Sequence, residues 1–100
     1  MKVRFRPEAA AELSQARDWY AGRESGLGHE FVAAVDAAVD RVVARPLAFR
    51  VLPRVPSIRR AQLRRFPFVL LFRMLTGDVI EVIAVAHMRR RPGYWKARLR

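Results

Sequence analysis

Residues 58–95, IRRAQLRRFPFVLLFRMLTGDVIEVIAVAHMRRRPGYW, decide the fold. Three successive blocks in this stretch have strand length and strand composition. Ile58 to Phe66 mixes Ile, Leu and Phe with Arg, Phe68 to Leu75 is almost wholly apolar, and Val79 to Ala86 is rich in β-branched residues. Pro67 interrupts the first junction because it has no N–H to donate to a ladder. Thr76-Gly77-Asp78 supplies the glycine that a tight turn with positive φ requires. Two consecutive hairpins follow, with the most apolar strand in the middle.

Working outward, the segment before this stretch, PLAFRVLPRVP (46–56), carries three prolines and reads as a crossing connection. Upstream of it lie two helical patterns. Ala9, Leu13, Ala16 and Tyr20 recur at helical spacing, and Pro7 suits the first helical position, so one helix is expected over Pro7 to Tyr20. Phe31, Val35, Ala38, Val39, Val42 and Val43 form the apolar stripe of a second helix over Leu27 to Arg45. Glycines at 22, 26 and 28 mark the turn between them, with Ser25 in an N-cap position. At the start, Lys2 to Arg6 alternates charge with Val3 and Phe5, which reads as an edge strand.

The expected architecture is therefore α+β: an N-terminal strand, an antiparallel two-helix hairpin packed on a twisted, mainly antiparallel four-stranded sheet, and a short C-terminal tail. Leu13, Phe31, Val35, Val39, Leu71 and Val85 are expected in its core. At 100 residues and 52% hydrophobic content, the chain makes a single domain over 1–100.

Composition narrows the chemistry. There is no cysteine, and therefore no disulfide framework or thiolate site. Two histidines and scattered acids offer no metal constellation, and no phosphate-binding glycine loop is present, so neither metal nor cofactor is expected. MKVRFRPEA has no apolar run suited to a signal peptide, and no stretch approaches the ~18 apolar residues of a membrane span. A cytoplasmic protein with no membrane partner is expected. The formal net charge of +11 is unevenly placed: eight Lys/Arg stand against seven Asp/Glu in residues 1–50, but twelve against two in residues 51–100. The partner-facing surface is expected in the C-terminal half, at Arg59, Arg60, Arg64, Arg65, Arg89, Arg90 and Arg91. Arginine favours bidentate carboxylate or phosphate contacts there.

Four residues are candidates for chemistry. His87, ending the last strand, has an ordinary pKa that suits general acid–base work, or it shapes a partner surface. Arg73 is the only charge in the apolar middle strand, so it must find a counter-charge or face water. Arg65 and Tyr94 complete the set. Tyr94 and Trp95 either stack on nucleic acid or fold back to cap the sheet.

Pro7-Glu8-Ala9, Arg45-Pro46, Ile58-Arg59-Arg60, Phe66-Pro67-Phe68, Ile83-Ala84-Val85-Ala86-His87 and Arg90-Arg91-Pro92-Gly93-Tyr94-Trp95 together give a pattern that resembles the RelE/ParE superfamily of toxins from type II toxin–antitoxin systems. The likeness covers essentially the whole chain. It implies a growth-inhibiting toxin neutralised by a cognate antitoxin with an acidic, amphipathic segment. RelE-like members cut mRNA on the ribosome without a metal, using cations on the sheet and a Tyr or His near the C-terminus; ParE-like members act on DNA gyrase. In this likeness Arg60 and Gln62 stand where RelE-like enzymes carry strand lysines, and Tyr94 and His87 lie near the C-terminal catalytic positions. Val69 stands where their catalytic arginine follows the aromatic residue. The resemblance is thus closer to the ParE-like branch, implying a non-enzymatic gyrase inhibitor, with a ribosome-dependent, metal-independent endoribonuclease as the alternative.

Overall fold

The computed structural model describes residues 1–100. Strand β1 (Lys2–Phe5) leads into helices α1 (Pro7–Arg23) and α2 (Leu27–Ala44), a 3-10 turn at Pro46–Ala48, strands β2 (Val51–Leu52), β3 (Val55–Gln62), β4 (Phe68–Leu75) and β5 (Val79–His87), and a C-terminal 3-10 turn at Lys96–Leu99. The sheet order is β1-β5-β4-β3-β2. All pairings are antiparallel except that of the edge strand β1, which runs parallel to β5.

The helical hairpin covers one face of the sheet. Phe31, Val35, Ala38 and Val42 are buried along α2 at spacings of four and three, one face of a 3.6-residue period. Ala9 is buried on α1, and Leu13, Ala16 and Tyr20 pack against the same core. The sheet contributes Ala61, Leu70, Phe72, Ile80, Val82 and Val85 to it. Each large apolar side chain enclosed there is worth about 1.5–3 kcal/mol relative to exposure. Gly28 of α2 lies tight against α1: a Cβ there would fall 2.8 Å from the carbonyl oxygen of Arg17.

A second apolar cluster lies on the opposite face: Ile58, Val69, Leu71, Ile83, Ala84, Ala86 and Trp95. A β-bulge makes it possible. Leu71 faces Ala84 but Phe72 faces Val82, so Ile83 is an extra residue in β5. The extra residue allows consecutive Ile83 and Ala84 to join one cluster while Val82 and Val85 stay in the other. Trp95 folds back from the tail to cover this face and is only 5% exposed. Leu71 therefore belongs to the core expected of it, but on the side away from the helices.

Several sequence expectations are corrected. The sheet has five strands rather than four, because Val51 and Leu52, inside the proline-rich crossing segment, turn back at Pro53-Arg54 and pair with β3. β3 occupies 55–62 instead of 58–66. Leu63 and Phe66 are apolar because they plug the core from a turn, in which Arg65 adopts φ of 71°. α1 continues three residues past Tyr20 to Arg23. The N-cap of α2 is Gly26, with φ of 83° and no side-chain cap, rather than Ser25; a left-handed backbone there suits glycine and not serine. The turn at Thr76–Asp78 stands as read, with Gly77 and Asp78 both at positive φ.

Candidate functional site

β5 is longer than the strand beside it. β1 pairs only with Val79 to Val82, leaving the next residues of β5 without a neighbouring strand on that side. Side chains take over. Val85 donates its backbone N–H to Oε1 of Glu12 at 3.0 Å, and the Ile83 carbonyl accepts from Nη1 of Arg98 at 3.0 Å. Arg98 also grips Glu12 with both arms of its fork, Nη1 to Oε1 at 2.9 Å and Nη2 to Oε2 at 3.0 Å. Tyr94 donates its hydroxyl to Oε2 of the same carboxylate at 2.6 Å. The Glu12 and Arg98 side chains are only 12% and 15% exposed. One carboxylate on α1 thus accepts four hydrogen bonds and fastens the tail to the sheet, a strong arrangement because the pair is bidentate and little solvated.

This network sets the chemistry of Tyr94. Burial, reinforced by the hydrogen bond to Glu12 and its negative charge, raises the phenol well above its usual value near 10. Its ring carries two cations: the Arg90 guanidinium lies 3.9 Å from its centroid and that of Arg98 lies 5.1 Å away. Arg98 is raised above its usual value, chiefly because Glu12 accepts hydrogen bonds from its guanidinium and despite its partial burial.

Two concavities flank this end of the sheet. A groove of about 490 Å³ runs between α1 and the ends of β4 and β5, walled by Trp19, Tyr20 and Phe68, with Glu12, His87 and Arg90 among its polar groups. On the opposite face a cleft of about 280 Å³ lies beneath the tail, lined by Leu71, Arg60, His87, Arg90 and Arg91 among others. His87 and Arg90 border both. The His87 ring meets Phe68 edge-on at 5.1 Å, and its Nδ1 accepts the Arg89 N–H at 3.0 Å, which leaves Nε2 as the nitrogen available to a partner.

The structure separates the cations that the sequence grouped. Arg60 borders the open-face cleft, whereas its neighbour Arg59 donates to the Phe49 carbonyl at 2.7 Å and the Leu47 carbonyl at 3.5 Å, pinning the crossing segment. Strand alternation explains the split, since Arg59 pairs with Phe72 of the helix-side core and Arg60 with Leu71 of the other face. Arg65 bonds Glu30 on α2 at 2.6 Å, an exposed pair worth little. Arg64, Arg89, Arg90 and Arg91 are exposed. Arg73 finds its counter-charge directly across the ladder, Nε to Oε1 of Glu81 at 2.7 Å.

Glu12, Arg98 and Glu81 are site residues that sequence reasoning missed. Glu81 had a signal, being the only acid in an apolar strand that neighbours the strand holding the lone Arg73. Glu12 had none, because its partners lie more than seventy residues away. No group of three or more His, Cys, Asp or Glu side chains is assembled for a metal, and no helix is long and apolar enough to cross a membrane.

With this geometry in place, the comparisons are specific. Residues 3–92 match the family model described as the ParE toxin of the type II toxin–antitoxin system, parDE. No curated protein matches the chain. Among solved structures it is similar to a chain of the chromosomal ParDE toxin–antitoxin system from P. aeruginosa, with 25% identity and a TM-score of 0.62, covering 87% of this chain and 95% of that one. It shares its fold with the isolated E. coli RelE toxin, with 19% identity, a TM-score of 0.62, and coverage of 98% and 95%.

Proposed function

The chain belongs to the ParE toxin family of type II toxin–antitoxin systems, and on that premise we propose that it arrests growth by binding DNA gyrase rather than by cutting RNA. Membership carries a cognate antitoxin as its partner. The observation that supports a binder over a nuclease is the state of the groups a nuclease would use. Cleaving RNA requires a base for the ribose 2′-hydroxyl, cations for the phosphorane charge and an acid for the leaving oxygen. Tyr94 has its hydroxyl committed to Glu12 and is held neutral well beyond its usual range. Val69, which stands where the resemblance puts a catalytic arginine, is a buried apolar residue of the open face.

The alternative, ribosome-dependent mRNA cleavage, is favoured by one feature: Arg60, His87, Arg90 and Arg91 border a single cleft. The two readings part in a direct assay. Wild type, His87→Ala and Arg73→Ala are tested for inhibition of gyrase supercoiling and for cutting of mRNA on translating ribosomes. The expected result is gyrase inhibition by wild type that persists in His87→Ala, with no cutting by any variant. Robust cutting by wild type, lost in His87→Ala while the fold and antitoxin binding remain, would reverse the assignment and make His87 catalytic.

A further inference from the structure

A second cationic site lies on the β1 side of the open face, where the Arg6 N–H donates to the Val82 carbonyl at 3.0 Å. Val3 and Phe5 pack into the helix-side core, so Arg4 between them points to the opposite face of β1, where Arg6 just after the strand also meets Glu81. Arg4 is the register partner of Glu81, and Glu81 is the register partner of Arg73. The three residues form one row across three adjacent strands, at about 4.8 Å per strand. Arg6, in extended backbone just past the end of β1, brings its Nη1 to 3.6 Å from Oε2 of Glu81.

The charges in this row do not balance. Glu81, 6% exposed, is the only acid beneath them, and Arg73 takes its Oε1 through Nε alone. The Nε of Arg6 is buried with no hydrogen-bond partner, its nearest carboxylate being Oε1 of Glu8 at the rim, 3.4 Å away. Guanidinium groups that are three-quarters buried and incompletely paired are costly to hold without a further anion. Buried Glu81 anchors Arg73 and draws in Arg6, while Arg4 is exposed. That is the construction of a pre-organised oxyanion receptor.

We propose that Arg4, Arg6 and Arg73 form a phosphodiester-binding site for nucleic acid on the β1 side of the open sheet face. The choice of ligand follows from what surrounds the row. An acidic amphipathic peptide needs an apolar concavity beside the cations. The groove along α1 and the cleft under the tail provide one, and none of these three arginines lines either. A backbone phosphate asks only for fixed cationic donors, and Arg4 on β1 and Arg6 in the extended backbone just after it stand about 6.6 Å apart along the chain, suited to an extended phosphate chain. This site is independent of the gyrase reading and holds whichever target the toxin has.

The test is fluorescence anisotropy of a fluorescein-labelled DNA duplex and of a labelled Glu-rich peptide, each titrated across a salt series. The proteins are wild type, Arg4→Ala, Arg73→Gln, the double variant, and Arg17→Ala/Arg23→Ala on the helix face as a control of equal charge. The double variant is expected to weaken DNA binding about tenfold at moderate salt and to flatten the slope of log affinity against log salt by about two. The control pair should move neither as far, and peptide binding should respond only as it does to the control. Arg73→Gln disturbs Glu81, so circular dichroism accompanies each variant and Arg4→Ala, on an exposed side chain, must by itself flatten the slope by about one. Equal losses in the control pair would reduce the effect to net charge and overturn the proposal. Loss of peptide binding with DNA binding intact would overturn it in favour of an acidic protein segment.

Discussion

Tyr94 donates its hydroxyl to Glu12 across 82 residues of sequence, at 2.6 Å, and the carboxylate it meets is already clasped by both arms of Arg98. Removing the acid leaves a largely buried guanidinium without its counter-charge and the Val85 N–H without its acceptor. Glu12→Ala is therefore expected to cost about 3–5 kcal/mol, near the whole stability of a small domain. Tyr94→Phe removes one hydrogen bond to a charged group and should cost about 1.5–3 kcal/mol. Urea denaturation of the two variants checks both values; similar small losses would show the carboxylate to be dispensable.

The same bond fixes an alkaline limit. Burial and Glu12 raise the Tyr94 phenol above its usual value near 10, and burial raises Tyr20 in the same direction. A folded-state pKa above the unfolded one means that the folded chain keeps its proton longer. The associated stability is complete below about pH 10 and drains away as pH rises beyond it. Ultraviolet difference absorbance of the native protein should show neither tyrosine ionising at its ordinary pH. Urea titrations above pH 10 should lose stability more steeply in wild type than in Tyr94→Phe.

Gly28 of α2 packs against the backbone of α1. A methyl group there would fall 2.8 Å from the Arg17 carbonyl oxygen and 3.0 Å from the Cβ of Ala21. Since helix propensity alone favours alanine, the sign of Gly28→Ala tests packing against propensity. Packing is expected to win by about 1–3 kcal/mol. For a chain of this size each kcal/mol lowers Tm by about 4–8 °C, which a thermal melt resolves.

Arg59 and Arg60, adjacent in sequence, should respond oppositely to charge reversal. Arg59→Glu places an acid against the carbonyls of Phe49 and Leu47 and should destabilise the fold by about 1–3 kcal/mol. Arg60→Glu should leave the melt unchanged but slow association with an acidic antitoxin segment and flatten the salt dependence of that rate. Stopped-flow mixing across a salt series distinguishes them. Unchanged association rates for Arg60→Glu would place the antitoxin contact elsewhere.

The course of the chain was legible where local pattern and long-range packing agree. The helical stripes, the Thr76–Asp78 turn and the apolar centre of β4 each combine periodicity with a chemical reason. β3 was displaced because Leu63 and Phe66 carry the same apolar signal whether they extend a strand or plug a core from a turn. The positive φ that distinguishes the two falls on Arg65, a residue with no turn signature. β2 was invisible, since two residues between prolines carry no period. At the candidate site, the cationic half was plain from charge counting. Which arginines the fold engages was not: Arg59, Arg73 and Arg98 each bond a partner at least eight residues away in sequence, and composition carries no information about that partner.

The pairing of β1 with β5 also bears on the order in which the chain folds as it is made. β1 is among the first segments to leave the ribosome, yet its register partners are Val79 to Val82. At about 5–20 residues per second, several seconds separate the emergence of the two strands. Throughout that interval the helical hairpin can form, but Phe31, Val35 and Val42 have no sheet to cover them. The clasp between Glu12 and Arg98, 86 residues apart, closes later still. A nascent chain therefore exposes its apolar hairpin before it completes its basic surface.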